Sequence, residues 1–190
     1  MAESYYDRQN FAKVNFTTQS INGTEFNNCT FVNCDFSGMT LIRVAFSDCI
    51  FDTCNLSSTV LNQVKLDNGQ FRHCKMLGIN FSNCSDFLFS VSFSDCILDY
   101  SIFIRKKLKA TKFINCSLKE VNFSDSDLSQ ADFSGSDLQL AVFRQTNLEK
   151  ADFRKALNFS IDPEYNKMKK TKFSRIDLSG LLHKYNLDIF

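Results

Sequence analysis

Apolar residues recur at every fifth position from Phe11 to Phe81, through Phe16, Ile21, Phe26 and Phe31. Polar residues flank most of these centres, and the second residue before each centre is usually small. The pattern is cleanest from Val121 to Ala156, which reads VNFSD, SDLSQ, ADFSG, SDLQL, AVFRQ, TNLEK, ADFRK. A period of five matches neither an amphipathic helix nor the alternation of a half-buried strand. A short unit repeated at fixed length is the mark of a solenoid, in which stacked neighbours together build a core that no single unit could bury.

The unit A(D/N)(L/F)xx resembles the pentapeptide repeat family, and the resemblance covers nearly the whole chain. It implies an all-β solenoid: a right-handed quadrilateral parallel β-helix with five residues per side and twenty per coil. That geometry can be tested on the residues. Past Phe81 the frame slips, and the next clean centres are Leu88, Phe93, Leu98 and Phe103, continuing in fives to Phe153. The step from Phe81 to Leu88 is seven, which places two inserted residues within 82–87. With that insertion counted, one side reads Phe11, Phe31, Phe51, Phe71, Phe93, Phe113, Phe133, Phe153, Phe173. The adjacent side carries Cys34, Cys54, Cys74, Cys96 and Cys116 at its small place. Both columns align only on a twenty-residue coil with a two-residue insertion. From Phe11 to Phe173 there are then eight steps of twenty, which predicts a rod of about eight coils, roughly 40 Å long at the spacing of paired strands.

The domain plan is an N-terminal segment 1–10, a β-helix over 11–173 and a cap over 174–190. Tyr5 and Tyr6 are candidates to cover the first coil, since an uncapped ladder edge pairs with other chains. At the other end Ser174 opens a capping-box-like start. Leu178, Leu181, Leu182 and Tyr185 follow at helical spacing, predicting a helix of about ten residues that ends near Asn186. Leu187–Phe190 alternates like a short strand. Terminal caps keep solenoids soluble.

Composition narrows the chemistry. The 190 residues include 21 Phe, no Trp and one proline, Pro163, as a continuous hydrogen-bonded ladder requires. All eight cysteines (Cys29, Cys34, Cys49, Cys54, Cys74, Cys84, Cys96, Cys116) occupy the small place, where Ala, Ser, Thr and Val stand in other repeats. There cysteine serves as a small hydrophobe, and all eight thiols are expected reduced. His73 and His183 are the only histidines, and neither has companions at metal-ligand or nucleophile spacing. The six glycines form no phosphate loop. No catalytic, cofactor or metal site is predicted, and the chain is read as a non-enzyme. No apolar run approaches membrane-spanning length, and the N-terminus lacks an apolar signal core. A cytoplasmic protein with no membrane contact is the expectation.

Lys106 falls at an inward, small place within Arg105-Lys106-Lys107-Leu108-Lys109. A buried, unpaired ammonium is costly, so this side is expected to flare, or Lys106 to reach solvent along its stem. Arg105, Lys106, Lys107 and Lys109 are thus a candidate surface for an acidic partner. Asp127, Asp132, Asp137 and Asp152 precede their centres and are expected to face outward.

Within the family, the sequence resembles the quinolone-resistance type. That resemblance implies a homodimer joined through its C-terminal cap, which binds DNA gyrase and topoisomerase IV rather than nucleic acid itself. The charge distribution supports a second reading. Net charge is +1, but residues 1–100 sum to −4 and residues 101–190 to +5. A rod that imitates DNA should be negative throughout. The second reading is an interaction scaffold for another, unidentified protein.

Overall fold

The computed structural model describes residues 4–188. Its strands are short and all their pairings parallel. They are β1 (Tyr5–Asp7), β2 (Asn10–Ala12), β3 (Glu25–Asn27), β4 (Thr30–Val32), β5 (Thr40–Ile42), β6 (Ala45–Ser47), β7 (Ile50–Asp52), β8 (Val60–Asn62), β9 (Lys65–Asp67), β10 (Gly69–Arg72), β11 (Val91–Ser94) and β12 (Phe113–Ile114). One wall is the ladder β1-β3-β6-β9. A second is β2-β4-β7-β10-β11-β12, and a third carries β5-β8. The chain is therefore a parallel β-solenoid, with six strands in its longest sheet. No helix among the described residues is long and apolar enough to cross a membrane.

The register follows the repeat. Phe11 pairs with Phe31, Phe31 with Phe51, Phe51 with Phe71, Phe71 with Phe93 and Phe93 with Phe113. Ring stacking continues past the last strand to Phe173, with successive centroids 4.7 to 5.3 Å apart. Phe81, Phe103, Phe123 and Phe143 form a second stack that meets the first edge-on. Stacked contacts along the axis and T-shaped contacts across it are both favourable arrangements of aromatic quadrupoles.

A side of five residues must end in a sharp bend, and the backbone supplies it at the second residue after most centres. That residue is left-handed at corner after corner, as at Asn28, Asn33, Asp48, Asn68, Asp95 and Asn115. Asn and Asp tolerate this conformation best among residues with a side chain. The Asp before a centre secures the turn from outside: Asp127, Asp132, Asp137 and Asp152 each accept the backbone N–H two residues on. These four are only partly exposed, not simply solvated. Bonds from Arg154 hold Asp152 below the usual carboxylate range. Burial works the other way at Asp137, yet donation from Asn158, the Gln139 N–H and Lys119 still lowers it.

The ends differ from expectation. Tyr5–Asp7 is itself a rung, with Tyr6 opposite Phe26 and its ring stacked there at 5.2 Å. At the C-terminus the ten-residue α-helix is replaced by two 3-10 segments, Arg175–Leu181 and His183–Tyr185. The Ser174 side chain makes no capping bond. Leu187 and Asp188 form no strand, and Ile189 and Phe190 lie outside the described residues. The tighter helix lets Gly180 sit on Phe159, where a Cβ would come within 2.5 Å of the Phe159 carbonyl oxygen. Ile161 N–H also donates to Gly180 O at 2.9 Å. Lys184 bridges to Asp162 at 2.9 Å and Glu164 at 2.7 Å, tying the segment to the final coil.

Candidate interaction surfaces

The eight cysteines are free and buried. All the thiols but that of Cys84 donate to backbone carbonyls, as Cys54 Sγ does to Phe31 O at 3.3 Å and to Asp52 O at 3.4 Å. Desolvation by burial raises the Cys49 and Cys84 thiols to about 12. Among the described residues no group of three His, Cys, Asp or Glu is placed to hold a metal ion. His73 stands on a corner, more than half exposed, with Asp52 at 3.3 Å and Asp95 at 4.0 Å.

The frame slip is an outward bulge. Ser85 N–H still donates to Val64 O, the same bond that Lys65 N–H makes to Val44 O. By Val91, paired with Gly69, the offset between coils has grown from twenty to twenty-two. The extra residues therefore lie between Ser85 and Val91, a span that overlaps the expected 82–87 at Asp86 and Phe87. Leu88, expected as an interior centre, is 58% exposed with a φ of 56°. Phe89 turns inward in its place. Phe87, beside Leu88 at the tip, is 70% exposed.

Lys106 neither flares its wall nor reaches solvent. It is 1% exposed and is the only buried charged side chain among the described residues. Its Nζ donates to Cys84 O at 2.8 Å and to Asp86 Oδ1 at 2.7 Å. It also lies 4.4 Å from the centroid of the Phe89 ring, a cation–π contact. Elsewhere in this column the carbonyls of Thr24, Val44, Val64, Lys106, Ser126 and Thr146 accept a backbone N–H from the next coil. The Cys84 carbonyl accepts the ammonium instead, because the bulge has displaced that rung. Sequence reasoning found the odd lysine but missed its partner, since Asp86 looked like one residue of a frame slip.

Of the basic stretch, then, Lys106 is interior, while Arg105, Lys107 and Lys109 are exposed. At the C-terminus only Leu181 packs against the core. Leu178, Leu182 and Tyr185 stand 43%, 37% and 53% exposed, so each leaves a large part of its surface uncovered by its own chain. Phe159 and Ile161, not singled out in the sequence, fill the end of the core. Phe159 lies off the five-residue grid, so periodicity could not mark it.

Two structural likenesses stand out. The plasmid-mediated fluoroquinolone resistance protein QnrB1, in a trypsin-treated form, superposes with a TM-score of 0.74. The match covers 99% of this chain and 98% of that one at 20% identity. HetL, a pentapeptide repeat protein involved in heterocyst differentiation regulation in the cyanobacterium Nostoc, gives a TM-score of 0.59 at 14% identity, over 87% of this chain and 84% of that one. No curated protein matches by sequence. The chain fits the description "Pentapeptide repeat region" over residues 24–103 and 106–182, and "Pentapeptide repeats (8 copies)" over residues 8–38. With its Phe columns, left-handed corners and parallel ladders so arranged, the chain belongs to the pentapeptide repeat family.

Proposed function

We propose that this protein is a non-enzymatic, cytoplasmic binding rod that engages a type II DNA topoisomerase and alters its sensitivity to quinolones. In this reading the solenoid winds right-handed through about eight four-sided coils, the number spanned by the stack from Phe11 to Phe173. The observation that carries the reading is the match to QnrB1 over almost the full length of both chains, cap included. The experiment is gyrase supercoiling in the presence of a fluoroquinolone. Micromolar protein should restore supercoiling that the drug suppresses, and an unchanged drug response would remove the topoisomerase reading. The charge distribution favours the second reading: the half of the chain from residue 101 onward is basic, unlike the surface of DNA. If gyrase does not respond, an interaction scaffold for a different protein partner is what the fold supports.

The reading includes a homodimer through the C-terminal cap. Exposed Ile176, Leu178, Leu182 and Tyr185 supply an apolar face at a chain end, and two such faces can meet across a twofold axis. Leu178→Asp with Leu182→Asp should convert a dimer of 21.8 kDa chains into monomers in light scattering, at a modest cost in stability because both side chains are only partly covered by their own chain. A mass unaffected by the pair would move the contact to a side wall. Leu181 is excluded from the test because it packs on the core.

A further inference from the structure

The bulge between Ser85 and Val91 gathers three features: an apolar tip, a ring of free cations and a groove. Its tip presents Phe87 and Leu88, both more than half exposed, as adjacent apolar side chains standing off a flat wall. Around it lie five exposed cations: Arg43 and Lys65 in the preceding coils, Arg105, Lys107 and Lys109 in the following one. None of the five has a carboxylate within 4.0 Å among the described residues. Asp86, the bulge's own carboxylate, is already engaged by Lys106. Beside the bulge runs a groove of about 970 Å³, bounded by Ser85 and Asp86 and lined by Asn22, Arg43, Gln63 and Lys65.

From these we infer that the bulge and groove form a docking surface for an acidic protein segment that carries an apolar anchor. The anchor covers Phe87 and Leu88. The segment's carboxylates meet the five cations, a complementarity that steers encounter and fixes register. The amide side chains of Asn22 and Gln63 can bond the backbone of a chain lying in the groove. Glu25, which also lines the groove, and Asp67 on the neighbouring rung set a limit on how many carboxylates fit there. A bilayer surface would suit the tip and the cations, but it is flat and leaves the groove unfilled. The protein segment is therefore the occupant the geometry favours. The inference does not depend on the topoisomerase reading, because it concerns the chemistry of the partner.

The test is fluorescence anisotropy with the full chain and a labelled peptide holding a Leu–Phe pair between two runs of glutamate. Saturable binding is expected. It should weaken with added salt, as exposed charge pairs do. It should weaken about tenfold or more, equivalent to about 1.4 kcal/mol, in Phe87→Ser with Leu88→Ser and again in Lys107→Glu with Lys109→Glu. Leu140→Ser, an exposed apolar residue on another wall, should leave binding unchanged. Amide shifts recorded on the unaltered protein should map to 85–90 and 105–109, which keeps the test independent of any variant's folding. The inference is overturned by no saturable binding, by shifts elsewhere, or by equal binding of the peptide with Ser–Ser in place of Leu–Phe. Binding to phosphatidylserine-containing vesicles with no binding of the peptide would likewise overturn it, in favour of a membrane surface.

Discussion

Phe113→Ala lowers the unfolding free energy by about 3–5 kcal/mol, the range for deleting a fully buried aromatic side chain. Phe113 is 0% exposed. It stacks on Phe93 at 5.3 Å and Phe133 at 5.2 Å, and meets Phe103 and Phe123 edge-on at 5.8 and 5.6 Å. The substitution loses the transfer energy of the ring and the four aromatic contacts, and it leaves a cavity that rigid ladders above and below cannot close. Phe173→Ala serves as the comparison. Phe173 sits only partly buried at the end of the same stack, against Phe153 and Phe159, so about 1–2 kcal/mol is expected from the smaller area removed from water. Each coil of a solenoid contacts only its neighbours, so the central loss weakens two interfaces and the terminal one a single interface. Urea denaturation of the two variants gives the comparison. Equal losses at both positions would mean that the stack is not the main source of stability in the middle of the rod.

The residues that repeat were legible because one geometric rule acts on all of them. Phe93 had to stack on Phe113 once the twenty-residue column was seen, and the thiols had to point inward because they share the phase of Ala131 and Ala151. Legibility ended wherever that rule was suspended. At the bulge, Leu88 and Phe89 are both apolar, and only the hydrogen bonds from Ser85 and Ser90 back to the β9 coil decide which turns in. At the C-terminus, Leu178, Leu181 and Leu182 suit an α-helix in spacing. The need for Gly180 to approach Phe159, however, came from a residue outside the repeat, and the segment winds as a 3-10 helix instead. The basic surface was read from sequence as four neighbouring contributors. The fold removes Lys106 from it and brings Arg43 and Lys65 from earlier coils beside the same bulge, a proximity that no local pattern encodes.

Lys106 is where two independent departures from the repeat cancel each other. The bulge takes away a backbone donor, and the lysine at the small place supplies an ammonium to the stranded Cys84 carbonyl while Asp86 offsets its charge. Lys106→Ala should cost about 3–5 kcal/mol, since it empties a buried four-carbon stem and leaves that carbonyl unpaired. Lys106→Met keeps most of the volume and loses only the polar partner, so about 1–3 kcal/mol is expected. Asp86→Asn should cost about 1–2 kcal/mol, because it strips the countercharge from an ammonium that is 1% exposed, while its own side chain is 77% exposed and solvent screens part of the loss. The order Ala, Met, Asn separates packing from hydrogen bonding and from charge. A second measurement separates a clasp from general packing. In Lys106→Met, amide hydrogen exchange at 85–90 should accelerate while amides on the Phe113 wall keep their protection, as a local opening requires. If Lys106→Met is as stable as the unaltered protein and exchange at the bulge does not change, the ammonium does not hold the bulge. The Cys84 carbonyl must then find water, and the role of Lys106 reduces to filling space beneath Phe89.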